Sequence, residues 1–393
     1  MREKQADLSR EEHTLHFPEY IFLLGLFIKQ FYLLPSGSFQ AGDLFLILGC
    51  ALHFVTTQRG GFLIDRSDFP LLVFTLLTVA INAFYYLLTG NRSFARPILY
   101  YLYCLIVTLA FSSFLTKRNN AKLLRSIGGA LKLSLILQAV LFVSGTGRWT
   151  YAPRYSGSFN DPNQYSVFIF FSILIIYLTD HYTGNRKWIL WSILGTILIL
   201  PSTSTGTMLG LVVFWIGLIF HSLKETNRRG KLVWGIVFLL FILLLVCLQS
   251  GKLPLPSFVA ENKMFLRVME KIGKITSDPD SSSLLSDRGW TRIVQFPQYF
   301  LFGAGEGGYD RFGTELEIHS SILGPFFSYG IIPFGLFVRW AIDRIRGTKH
   351  LFIFVALFAE AMFLVNTRQP MYWMLIALAG FQADASPGDA TDS

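Results

Sequence analysis

The feature that most limits what this chain can become is a near-continuous succession of apolar runs broken by one long polar stretch at 250–318. A helix crossing the hydrocarbon core of a bilayer needs about twenty mostly apolar residues. Runs that meet or approach this length fall near 19–34, 42–56, 70–89, 97–115, 127–144, 164–179, 188–200, 205–221, 232–249, 320–342, 350–366 and 370–382. The expected fold is therefore an all-α polytopic membrane protein of about twelve transmembrane helices. It forms one domain over 1–393, with a long extracytoplasmic loop at 250–318 between helices 9 and 10. The last two runs also admit a re-entrant hairpin turning at Arg368, Gln369 and Pro370. The acidic, proline-containing end at 383–393 is expected to be disordered.

Composition agrees with that class. Hydrophobic residues make up 52% and charged residues 15%, with 38 Phe and 16 Tyr, a mixture suited to lipid. Cys50, Cys104 and Cys247 all sit inside apolar runs, which favours core positions over a disulfide framework or a cysteine zinc site. The net charge of +9 comes from basic residues scattered through short loops, the pattern of membrane topology and not of a nucleic-acid partner. Glu3, Asp7, Glu11 and Glu12 interleave with Arg2, Lys4 and Arg10, so a cleaved signal pattern is missing and the first span is expected to be retained.

Lys and Arg fix the orientation. The densest groups are Lys117, Arg118, Lys122 and Arg125; Arg186 and Lys187; Lys224, Arg228, Arg229 and Lys231; and Arg344, Arg346 and Lys349. With twelve spans all four fall on the side of the N-terminus, which the positive-inside rule makes the cytoplasm. Both termini are then cytoplasmic. The outer side receives 145–163, Ser202 to Ser204, 250–318 and the turn at Arg368.

Two outer pieces carry polar chemistry. The first reads RWTYAPRYSGSFNDPNQY from Arg148, with Pro153, Gly157 and Pro162 as turn formers, and suggests a shaped loop. Asp161 suits an N-cap with Pro162 in the first helical position, and Asp161 and Asn163 equally suit substrate contact. Arg148 and Arg154 present planar guanidinium groups at a helix mouth, where phosphate or anionic lipid is the natural partner. The second piece runs from Ser286 to His319. Arg288, Trp290 and Arg292 open an amphipathic stretch whose Ile293, Val294, Phe296, Tyr299 and Phe300 are expected along the membrane surface. Gly303, Gly305 and Gly308 match GxGxxG without a βαβ context and read as a flexible turn. Glu306, Asp310, Glu315 and Glu317 supply carboxylates. His319, opening the next helix, is either a structural residue or a general base.

Three segments, RYSGSFNDPNQY (Arg154 to Tyr165), DRGWTRIVQFPQYFLFGAGEGGY (Asp287 to Tyr309) and IHSSILGPFFSYGIIPFG (Ile318 to Gly335), resemble in order the motifs of the bacterial O-antigen polymerase and ligase superfamily. Ser320 departs from the asparagine that commonly follows the histidine. The resemblance implies a GT-C-like membrane glycosyltransferase in the bacterial cytoplasmic (inner) membrane, with an extracytoplasmic active site. Such an enzyme transfers a glycan from undecaprenyl diphosphate to an acceptor hydroxyl. It implies His319, Arg288 and Arg154 as catalytic residues. Arg148, Arg292, Asn163, Asp161, Glu317 and Arg368 follow as substrate contacts.

The expected chemistry needs no cofactor and no metal, because arginines can neutralise the departing diphosphate. Partners are the lipid-linked glycan, membrane lipid and a candidate chain-length regulator. Polymerase is favoured for O-antigen, capsule or exopolysaccharide, with ligation to lipid A core as the alternative. A twelve-span transporter or flippase is the alternative of another class, although no repeat relates two six-span halves. The charges within spans are Lys29, Lys132, Arg339 and Glu360, and Gly206 and Gly210 form a GxxxG step for close helix approach.

Overall fold

The computed structural model describes residues 15–34, 39–56, 64–116, 120–150, 154–225, 288–314 and 316–384. The apolar run at 232–249, Cys247, Glu315, the first part of the long polar stretch and the tail beyond Asp384 lie outside the described residues. The rest is mostly helical: α1 (Phe17–Ile28), α2 (Ala41–Thr56), α3 (Phe69–Thr89), α4 (Ala95–Thr116), α5 (Asn120–Val143), α6 (Pro162–Tyr182), α7 (Trp188–Ile199) and α8 (Thr205–Glu225), then α9 (Thr291–Gln295), α10 (Leu323–Tyr329), α11 (Ile331–Ile345), α12 (Leu351–Ala361) and α13 (Pro370–Asp384). Five helical stretches, Arg66–Thr89, Arg92–Thr116, Ala121–Val143, Pro162–Tyr182 and Thr205–Leu223, are long and apolar enough to cross a membrane, and shorter apolar helices accompany them. The protein is thus a mostly helical membrane protein.

Helix α6 is the centre of the bundle. Its apolar residues are spread around every face, and 89% of its most apolar window is buried, against 28% for the stretch containing α3. A helix apolar all round buries all round, whereas a partly covered one turns apolar surface outward. Pro162 and the Asp161 side chain, which accepts from the Asn163 and Gln164 backbone N–H groups at 2.7 and 3.2 Å, start α6. The cap expected of Asp161 is therefore present. Helices α1 and α2 form a tight pair because Gly42 leaves no Cβ where it would meet the Lys29 backbone nitrogen at 2.4 Å. That approach joins Lys29 to Asp43 at 2.5 Å, both buried.

Several local expectations change. The loop at 145–163 contains an antiparallel hairpin, β1 (Arg148–Thr150) with β2 (Arg154–Gly157). The run at 320–342 is two helices, broken at Gly330 (φ 78°), where a side chain would strike the Leu301 carbonyl oxygen at 2.3 Å. The stretch after Arg288 turns part of its apolar side onto a core of its own. Trp290, Ile293, Phe296 and Tyr299 pack onto a small core of Ala304, Ile318 and Phe327, while Val294 is exposed. The glycine cluster is not a loose turn either. Gly303, Gly305 and Gly308 have positive φ, the Tyr85 hydroxyl donates to the Gly303 carbonyl at 3.0 Å, and the Gly308 N–H donates to Ser93 Oγ at 2.7 Å. At the chain's end, 383 and 384 belong to α13 and not to a tail.

The charges within the bundle find partners. Lys132 meets Asp180 at 2.5 Å, Arg339 meets Asp343 at 3.7 Å on the surface, and buried Glu360 accepts from Asn366. Gly206 and Gly210 let α8 approach Phe363, Leu364 and Glu360, so the GxxxG step serves contact within the chain. Cys50 and Cys104 are buried free thiols.

Candidate functional site

The loops joining alternate helices gather at one end of the bundle. The Tyr32 N–H donates to the Ser158 carbonyl at 3.2 Å, Arg154 Nε to the Ser202 carbonyl at 2.9 Å and Arg288 Nη1 to the Phe363 carbonyl at 2.9 Å. Four chain segments at this end enclose a cavity of about 260 Å³. The end of α1 contributes Lys29 and Tyr32. The start of α6 contributes Asp161, Asn163, Gln164, Val167, Phe168 and Phe171, with Phe159 before it. Glu317 and His319 line a third side, and the turn between α12 and α13 supplies Asn366 and Gln369.

Of the residues singled out from sequence, Asp161, Asn163, Glu317 and His319 line the cavity directly. Arg154 stands immediately behind them, with Nη2 donating to Asn163 Oδ1 at 2.7 Å. Strand β2 and the cap of α6 make this contact, since the hairpin returns the chain to the mouth of α6 just before the helix starts. Arg288 reaches the site through its backbone: its carbonyl accepts the His319 N–H at 3.1 Å. Its guanidinium lies 4.9 Å from the Phe363 ring centre, and burial lowers its pKa.

Arg368 is paired with Glu306 at 2.5 Å and Glu317 at 2.7 Å. Burial opposes its charge, but the two carboxylates outweigh that and hold its pKa well above the ordinary value. None of these arginines lines the cavity itself, and two of them bond to residues outside the lining. Arg292 is buried, donates to the Leu316 carbonyl and lies 5.5 Å from the Tyr309 ring centre, with its pKa lowered by burial. Arg148 is exposed on β1 and donates to Asn160 Oδ1 at 2.7 Å.

Tyr32, Gln164, Asn366 and Gln369 join the site without a motif in the sequence to mark them, and Lys29, a charge within a span, joins it as well. The available signal was positional. Asn366 and Gln369 flank Arg368 in the turn between α12 and α13, and Gln164 follows Asn163. The cavity's polar lining is rich in carboxylates and carboxamides beside aromatic rings, a set that hydrogen-bonds a hydroxyl-rich ligand and packs against its apolar faces. Among the described residues no group of three His, Cys, Asp or Glu side chains is arranged to hold a metal ion. No protein-family model matches the chain, and no curated protein matches it.

Proposed function

We propose that the chain is a GT-C-type membrane glycosyltransferase that polymerises undecaprenyl-diphosphate-linked repeat units at the outer face of the bacterial cytoplasmic membrane. One observation carries the reading. The first and third motif-bearing segments, distant in sequence, meet at a single cavity through Asn163 and His319, and each of these is held by a neighbouring arginine: Arg154 of the first segment donates to Asn163, and the Arg288 carbonyl of the second accepts the His319 N–H.

In the proposed reaction the acceptor hydroxyl oxygen bonds to the anomeric carbon of the donor sugar. The bond from that carbon to the phosphate oxygen breaks, and the lipid diphosphate leaves with the bonding pair. His319 takes the hydroxyl proton, and Arg154 stabilises the charge growing on the leaving group. Arg288 holds the His319 backbone in place, and metal ions are not needed.

The test is reconstitution. Purified protein is given a lipid-linked repeat unit, with and without lipid A core, and products are sized for wild type, His319→Ala and Arg154→Ala. A ladder from wild type that vanishes in both variants supports the polymerase. A single addition to lipid A core, with no ladder, replaces it with the ligase. Full activity in His319→Ala removes the proposed base, and activity lost in EDTA but restored by magnesium removes metal independence.

A further inference from the structure

Arg368 directs its guanidinium at two unlike carboxylates. Nε donates to Glu306 Oε1 at 2.7 Å, and Nη2 donates to Glu317 Oε2 at 2.7 Å. Glu306 is buried and locked: its Oε2 accepts the Tyr329 hydroxyl at 2.7 Å, and its N–H donates to Asn82 Oδ1 at 2.8 Å. The Glu317 side chain is 27% exposed and lines both the main cavity, with His319, and a space of about 20 Å³ behind it. A relay of fixed groups therefore runs from Asn82 on α3 and Tyr329 on α10, through Glu306 and Arg368, to Glu317 on the cavity wall.

We propose that Glu317 is the hydroxyl-binding carboxylate of this cavity, taking hydrogen bonds from the acceptor sugar beside His319. Arg368 is then a positioning residue that sets Glu317 and does not touch the diphosphate. The inference rests on the glycosyl-transfer reading. Its physical basis is the charge of the trio. One guanidinium against two carboxylates leaves an excess of negative charge, which repels a phosphate. An ionised carboxylate is acceptor-only and forms a charge-assisted hydrogen bond with a sugar hydroxyl. This removes Arg368 from the arginines available to the leaving group.

The experiment uses the full chain in lipid nanodiscs, with a lipid-linked repeat unit as substrate and farnesyl diphosphate as a non-transferable competitor. Glu317→Gln and Arg368→Gln are each expected to lower kcat/KM by about tenfold to a hundredfold, the range for losing a hydrogen bond to a charged group. The Glu317→Gln/Arg368→Gln double variant should fall no lower than the worse single, because both act through one contact. Arg368→Lys should recover much of the loss, and inhibition by farnesyl diphosphate should not change in any of them.

Arg368→Gln leaves Glu306 as a buried carboxylate without its cation. Arg368→Gln/Glu306→Gln, which removes both charges, is therefore the second variant and should show the same loss. Wild-type turnover in that variant overturns the inference, as does a double variant whose losses multiply or a tenfold weaker inhibition in Arg368→Gln. A wild type inactive on the lipid-linked substrate overturns the glycosyl-transfer reading itself. An active wild type with multiplying losses overturns only the role given to Arg368.

Discussion

The two ends of the helical bundle handle buried charge differently. At the cavity end, the carboxylates Asp161 and Glu317 and the carboxamides Asn163, Gln164, Asn366 and Gln369, from three of the four lining segments, surround open space. At the opposite end the polar side chains close on one another. Asp68, fully buried, takes the Arg344 guanidinium and the Trp340 indole N–H. His350 packs 4.3 Å from the His181 ring centre and 5.2 Å from that of His221, with its Nδ1 3.3 Å from the Tyr177 hydroxyl. A sealed pair serves stability, whereas groups arranged around a cavity keep hydrogen-bonding capacity for a ligand.

That contrast can be broken by asking which property each substitution damages. The largest effect is expected at the sealed end. Asp68→Ala strands Arg344 without its anion and should cost about 3–5 kcal/mol of stability, read by denaturant titration, while glycan transfer per folded molecule stays near wild type. Lost transfer at unchanged stability would merge the two ends functionally. His319→Ala and Arg154→Ala come next, each lowering the transfer rate by about a hundredfold with little change in the thermal midpoint.

Asp161→Ala sharpens the comparison, because this residue is both cavity wall and helix cap. Loss of the cap should cost about 1 kcal/mol in an unfolding measurement. A transfer defect larger than that cost explains would assign it to the ligand as well. The smallest effect is expected for Arg148→Ala. The exposed side chain should change stability by less than about 0.5 kcal/mol, and transfer in nanodiscs should stay within about threefold of wild type. A large loss would extend the site onto β1.

Much of this architecture is legible in sequence, because span-length apolar runs register one residue at a time and need no knowledge of their neighbours. Outside 232–249, each apolar run contains helix, including the one broken at Gly330. The start of α6 was readable from Asp161 and Pro162 for the same reason, since capping is local. Lys29 was not, because its place in the cavity depends on the α1–α2 contact and on α6 arriving beside it. Arg368 stands in the sequence as a substrate contact through the family resemblance alone. Its carboxylate partners lie 62 and 51 residues away, and no short window contains them. The hairpin leaves no trace in the sequence, because its three- and four-residue strands at 148–157 are too short for an alternating pattern to show.

The glycine clasp on Tyr85, Ser93 and Phe94 has a consequence for how sensitivity to mutation should be distributed. The corner between α3 and α4 carries none of the three motif segments, yet it holds the chain from which Glu306, Glu317 and His319 project. A side chain at Gly305 would meet Tyr85 at 2.6 Å, and one at Gly308 would meet Phe94 at 2.8 Å. A saturation screen scored on polymer output should therefore return a second sensitive patch at 82–94. A smaller residue at Tyr85 should compensate a larger one at Gly305 only in part, because it opens the space but leaves the left-handed backbone at Gly305 (φ 69°) strained.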